Sequence, residues 1–116
     1  MDVKEFYQLT GDGYQEAIGR LMNEQLILKF LKSFLSDDTM ANLNKSMEEK
    51  NYEAAFRAAH TLKGVTANLS LMDLNKAAVE ITEMLRNGKD IAGAVDYLPQ
   101  VKAAYDKVAE LIPRLY

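Results

Sequence analysis

Apolar positions recur at three- and four-residue spacing along almost the whole chain, and nowhere alternate as in a half-buried strand. This pattern predicts an all-α protein. A first short helix is expected over residues 2–9, stopped by Gly11-Asp12-Gly13. A second begins near Tyr14 and should bury Ala17, Ile18, Leu21 and Met22. Asn23 then breaks or caps the chain, since asparagine is a favoured N-cap. The third helix, from about Glu24 to Leu35, turns Leu26, Ile27, Phe30, Leu31 and Phe34 inward. Ser36-Asp37-Asp38-Thr39 reads as a turn that caps a helix over about 40–50, which carries Met40, Leu43 and Met47.

Asn51 caps the next helix, expected from Tyr52 to Leu71. Asp73 caps another over about 74–87, with Leu74, Ala78, Ile81, Thr82 and Leu85 on its inner face and Asn87-Gly88 as its stop. The last helical stretch runs from about Ile91 to Ile112 and is closed by Pro113. Pro99 within it is expected to break or kink it, because proline lacks a backbone donor and clashes with the preceding turn. Helices joined by such short connections pack as an antiparallel four-helix bundle, here with an additional short N-terminal helix or helices.

The helix that begins at Tyr52 carries the only histidine of the chain. At about 100° per residue, Ala55, Ala58, Leu62, Val65, Leu69 and Met72 share one face, and His60 points almost directly away from it. On the side of His60 lie Glu53, Phe56, Arg57, Lys63, Gly64, Ala67 and Leu71. His60 is therefore expected at the surface, with a basic residue within a turn on either side. Gly64 shares its face and leaves out the side chain that would crowd the ring. Glycine in a helix interior costs about 1 kcal/mol relative to alanine, so its presence suggests that something must approach closely. Arg57 and Lys63 favour an anion there. A histidine with an approach channel and flanking cations suits a phosphoryl group carried on nitrogen. Phe56, Ala67 and Leu71 would add a small apolar docking patch, although Leu71 could instead pack against the N-terminal helix.

Blander readings compete with this one. A lone histidine is more often structural than functional. The six methionines recur at helical spacing and read as core filler. A haem held by His60 and a methionine would need an apolar pocket that an outward histidine lacks. Glu48, Glu49, Lys50, Glu80 and Glu83 read as solvated charges.

His60-Thr61-Leu62-Lys63-Gly64, followed by Val65-Thr66-Ala67-Asn68-Leu69, resembles the signature of histidine-containing phosphotransfer (HPt) domains. These four-helix-bundle modules relay phosphoryl groups in bacterial and fungal two-component systems. Ala17-Ile18-Gly19-Arg20-Leu21, the stretch from Leu26 to Phe34-Leu35-Ser36-Asp37, and Asn51-Tyr52-Glu53-Ala54-Ala55 are also similar to that family. Val65 stands where serine or alanine is common and Ser70 where glycine is common. Val65 should then alter packing, while Ser70, near the Lys63 edge, could alter the fit of a partner. The resemblance implies phosphoryl transfer to the outer ring nitrogen of His60, Nε2, from an aspartyl phosphate of a response-regulator receiver domain. A hybrid histidine kinase is the implied partner upstream. Magnesium would be supplied by the receiver, with no cofactor or metal held by this chain. Lys63 would offset charge on the phosphoryl oxygens.

Composition narrows the field further. The 116 residues suit one domain, and 48% apolar content is enough for a single core. A net charge of −3 argues against a nucleic-acid partner. The absence of cysteine removes disulfides and thiolate metal sites and fits a reducing cytoplasm. The N-terminus lacks a signal pattern, and Leu26-Ile27-Leu28 is far too short to span a membrane. There is no P-loop and no glycine-rich lid, so no ATP site is expected. The expectation is a monomeric, cytoplasmic phosphoryl carrier, not an enzyme. A receiver-binding module without transfer is one alternative. Another is the HPt portion of a larger hybrid or chemotaxis-type kinase, although Met1 and the end after Pro113 point to a whole small protein.

Overall fold

Short polar side chains start most of the helices. Asp2 accepts from the Glu5 amide at 2.8 Å, Asn23 from Leu26 at 2.8 Å, Asn51 from Ala54 at 3.2 Å and Asp90 from Gly93 at 2.9 Å. Each satisfies one of the donors that a helix leaves free at its N-terminus. A computed structural model describes all 116 residues and shows seven α-helices and no strand. They are α1 (Val3–Leu9), α2 (Tyr14–Leu21), α3 (Glu24–Phe34), α4 (Thr39–Glu48), α5 (Tyr52–Asn68), α6 (Met72–Leu85) and α7 (Ile91–Leu111). The molecule is thus all-α, as its periodicity predicts.

Helices α4 to α7 form the bundle. Helix α5 packs between α4 and α6, α7 packs against α6 and α4, and α5 and α7 lie diagonally opposite. The N-terminal helices cover one end: α2 rests on α3 and α1, and α3 meets the final turn at Ile112–Arg114. Phe6, Tyr7, Ile27, Leu31, Leu43, Leu62, Leu74, Ile81, Leu85 and Ile112 are fully buried or nearly so, in one continuous apolar cluster that joins this cover to the bundle. No helix is long and apolar enough to cross a membrane.

Several expectations need correction. Met22 is 78% exposed, not buried, because α2 ends at Leu21 and the backbone turns at Met22 with φ +77°. Phe30 is 41% exposed, at the rim of a groove it shares with Phe34, Val65 and Leu69. Helix α6 starts at Met72, one residue before the expected cap Asp73, whose amide bonds the Thr10 carbonyl at 3.2 Å. Pro99 does not interrupt α7. The donor it lacks would have served Val95, and both residues are exposed, so water can satisfy that carbonyl.

The buried stripe of α5 is Ala55, Ala59, Leu62 and Thr66, continued by Leu69 just past its end, while Ala58 and Val65 are half-buried at its edge. Apolarity alone favours Val65 over Thr66. The Thr66 hydroxyl escapes the cost of burial by donating to the Leu62 carbonyl at 2.8 Å. Helix α5 also ends at Asn68, three residues short of the expected Leu71. The angular count therefore fails for Leu71, which is fully buried in the core and cannot belong to a docking patch. Ser70 is buried as well, so it does not line the Lys63 edge.

Candidate functional site

The C-terminal half of the histidine helix is held in place by other parts of the chain. At its C-terminus the last carbonyls lack partners within the helix, and Arg20 of α2 supplies one. Its guanidinium donates to the carbonyls of Ala67 at 2.5 Å and Asn68 at 3.2 Å, and to the Ser70 hydroxyl at 3.0 Å. The buried Tyr7 hydroxyl donates to the Leu69 carbonyl at 2.8 Å. Ser70 reverses the chain with φ +54°, a left-handed conformation in which glycine carries no penalty. Gly13 lies directly against this turn, and a Cβ there would overlap the Ser70 carbonyl oxygen. On the α6 side, Asn75 donates to the Lys63 carbonyl at 2.9 Å and the Thr66 hydroxyl at 3.1 Å. Helix α5 is a platform that these anchors hold at its C-terminal half.

On the outer face of that platform His60 is exposed, as expected. Its ring lies 6.0 Å from the ring of half-buried Phe56, tilted by 49°. Gly64 and Ala67 are exposed on the same side. A Cβ added to Gly64 would meet nothing within 4 Å, so nothing inside the protein requires glycine there. Lys63 is half-buried. Arg57 is exposed and paired with Glu53 one turn back at 3.1 Å, which divides its charge. Of the site residues expected from sequence, His60, Lys63, Gly64, Phe56, Arg57 and Ala67 lie together on this side of α5, and Leu71 does not.

The antiparallel return of α6 adds residues that sequence reasoning missed. Arg86 lines the same hollow as Phe56, Arg57, His60 and Thr61. Its guanidinium carbon sits 5.1 Å from the Phe56 ring centroid, a cation–π contact. Its Nε donates to the Glu83 carboxylate at 2.7 Å. That bond is the main reason the Glu83 carboxyl is held below the usual carboxylate range; desolvation opposes it, and the charges of Arg86, Lys63 and Lys89 act with it. Glu83 is exposed, as expected, but its partner ties it to the site. The contacts Asn75 to Lys63 and Arg86 to Phe56 set the register of α6 beside α5. Val79, four residues after Asn75 and four before Glu83, shares their side of α6 and is 37% exposed. The only sequence signal for these residues was their spacing along one edge of α6.

No characterised protein and no solved structure matches the chain. The family model of the Hpt domain matches residues 26–111, from the start of α3 to the end of α7 with the histidine helix at its centre, and the chain belongs to the Hpt domain family.

Proposed function

We propose that this protein is a phosphorelay intermediate that takes a phosphoryl group onto His60 from a receiver-domain aspartate and passes it to another receiver. Hpt domains are phosphocarriers in two-component histidine phosphotransfer, which supplies the reaction class. The observation that carries the assignment is the exposed imidazole of His60 beside a helix glycine whose Cβ position is open to solvent. In the step proposed, the Nε2 lone pair attacks phosphorus in line with the scissile bond. The N–P bond forms as the P–O bond to the aspartyl carboxyl breaks, the aspartate leaves as a carboxylate, and Nδ1 keeps its proton. Transfer to the second receiver reverses this. Nε2 is the nitrogen that the family resemblance implies.

A neutral imidazole is nucleophilic through the nitrogen that carries no proton. Lys63 offsets charge on the phosphoryl oxygens, and Gly64 leaves room for the receiver to bring its aspartyl phosphate to the ring. Magnesium is assigned to the receiver, as the family resemblance implies. The partner docks on Phe56, Ala67 and Val79, with Arg57 at the rim.

Incubation of the chain with radiolabelled phospho-receiver domains tests the assignment. Wild type is expected to acquire acid-labile, alkali-stable label, and His60→Gln to acquire none while keeping its fold, since an exposed change typically costs less than about 0.5 kcal/mol. Label on the His60→Gln variant would place the phosphoryl group elsewhere.

A further inference from the structure

We propose that Arg86 is a shared ligand, held by Glu83 while His60 is bare and taken over by the phosphoryl group once His60 carries one. The inference rests on His60 as phosphoacceptor and assigns a regulatory pair to the same site. Three observations support it. Arg86 and His60 border one hollow and share the Phe56 ring, which lies 5.1 Å from the guanidinium carbon and 6.0 Å from the imidazole. The flat guanidinium lies over that ring, a contact that is not directional enough to fix where its N–H groups point. The tie holding Arg86 is a single bond from Nε to Glu83 on the protein surface. Exposed pairs of this kind contribute little, so breaking one is a minor obstacle.

A phosphoryl group on His60 changes the competition. It brings close to two negative charges and three acceptor oxygens, against one charge and two oxygens on Glu83. A guanidinium matches a phosphate through two parallel N–H···O bonds, a geometry a lysine cannot offer. Glu83 is thus a place-holder that keeps the cation near the site without neutralising the empty hollow. After transfer, Arg86 pairs with the phosphoryl oxygens and stabilises the phosphohistidine. Glu83, released, faces Lys63 and Lys89, whose charges it already feels. Bare and phosphorylated forms would then present different charge patterns to receivers.

Chemical phosphorylation of the full chain with potassium phosphoramidate, with loss of the phosphoryl group followed by phosphorus NMR, tests this without a cognate receiver. Arg86→Gln is expected to shorten the phosphohistidine half-life about two- to five-fold, the scale of one exposed ionic contact. Glu83→Gln removes the competitor and is expected to lengthen it. In the double variant the Glu83 change should have no effect, because the cation it competes for is gone; a loss of local helix packing would not produce opposite signs that collapse in this way. The Arg86 Nε–H resonance should also move when wild type is phosphorylated. Equal half-lives for Arg86→Gln and wild type, or any other ordering of the variants, overturns the shared-ligand assignment while leaving His60 as the acceptor. If phosphoramidate labels His60→Gln as it labels wild type, or labels neither, the acceptor assignment falls and this one with it.

Discussion

Gly13, which abuts the turn after the histidine helix, and Gly64 within it have opposite reasons for lacking a side chain. Gly13 is forced from within, since a Cβ there would overlap the Ser70 carbonyl against which the α1–α2 loop rests. Gly64 is free from within, exposed on α5 with no atom within 4 Å of an added Cβ. A glycine in a helix interior costs about 1 kcal/mol relative to alanine, and no contact inside the protein offsets that cost at Gly64. The missing internal reason is what the access role proposed for Gly64 would account for. Gly64→Ala is accordingly expected to raise stability by up to about 1 kcal/mol and to leave transfer close to wild type, since a methyl group barely enters the channel. Gly64→Gln should keep the helix but slow transfer from a phosphorylated receiver. Thermal unfolding and transfer rate on the same samples check both halves, and wild-type transfer by Gly64→Gln would remove the access argument.

At the scale of elements, the site depends on how α1 and α2 pin the end of α5. The buried Tyr7 hydroxyl donates to the Leu69 carbonyl, and burial pushes the phenol above the ordinary tyrosine range. A raised pKa on a group that is neutral in the fold means stability that is complete below the unfolded value. It is lost as pH rises through the folded one. The melting temperature of wild type should therefore begin to fall above about pH 10, where tyrosines in the unfolded chain ionise. Tyr7→Phe should melt lower at pH 7, by about 1–3 kcal/mol for a buried carbonyl left unpaired, and lose part of that alkaline slope. Parallel slopes for the two proteins between pH 7 and 11 would rule out Tyr7 as a source of it. The same contact explains what the sequence left illegible. Caps at Asn23 and Asn51 and the stop at Asn87-Gly88 are local chemistry and could be read residue by residue. The end of α5 could not, because Tyr7 and Arg20 hold it from distant parts of the chain. A count of 100° per residue continued past Asn68 and so placed Leu71 at the surface.

For the molecule as a whole, the face proposed for docking is a strip spanning two helices, and only its α5 half was legible in advance. Phe56, His60, Gly64 and Ala67 follow from helical spacing within one segment. Val79, Glu83 and Arg86 join them because α6 returns antiparallel, and that register is fixed by Asn75 on Lys63 and Arg86 on Phe56. The strip has apolar groups at its middle and charge along its border, the arrangement of a transient interface with a small dry centre. Such a complex is expected to bury at most about 1,600 Å². Phe56→Ala and Val79→Ser should each weaken binding of a phosphorylated receiver several-fold, chiefly through faster dissociation. Arg57→Ala, whose charge Glu53 already shares, should act mainly on association. Glu110 lies on α7, diagonal to α5, and pairs only with Arg114, so Glu110→Ala should bind as wild type does. Exposed charges are screened over about 10 Å at 0.1 M salt, so raising salt should slow association and leave the losses at Phe56 and Val79 almost unchanged. Surface plasmon resonance with an immobilised receiver at two salt concentrations separates these effects. If Glu110→Ala lost as much affinity as Phe56→Ala, or if salt erased the Val79 effect, the docking strip would have to be sought on another side of the bundle.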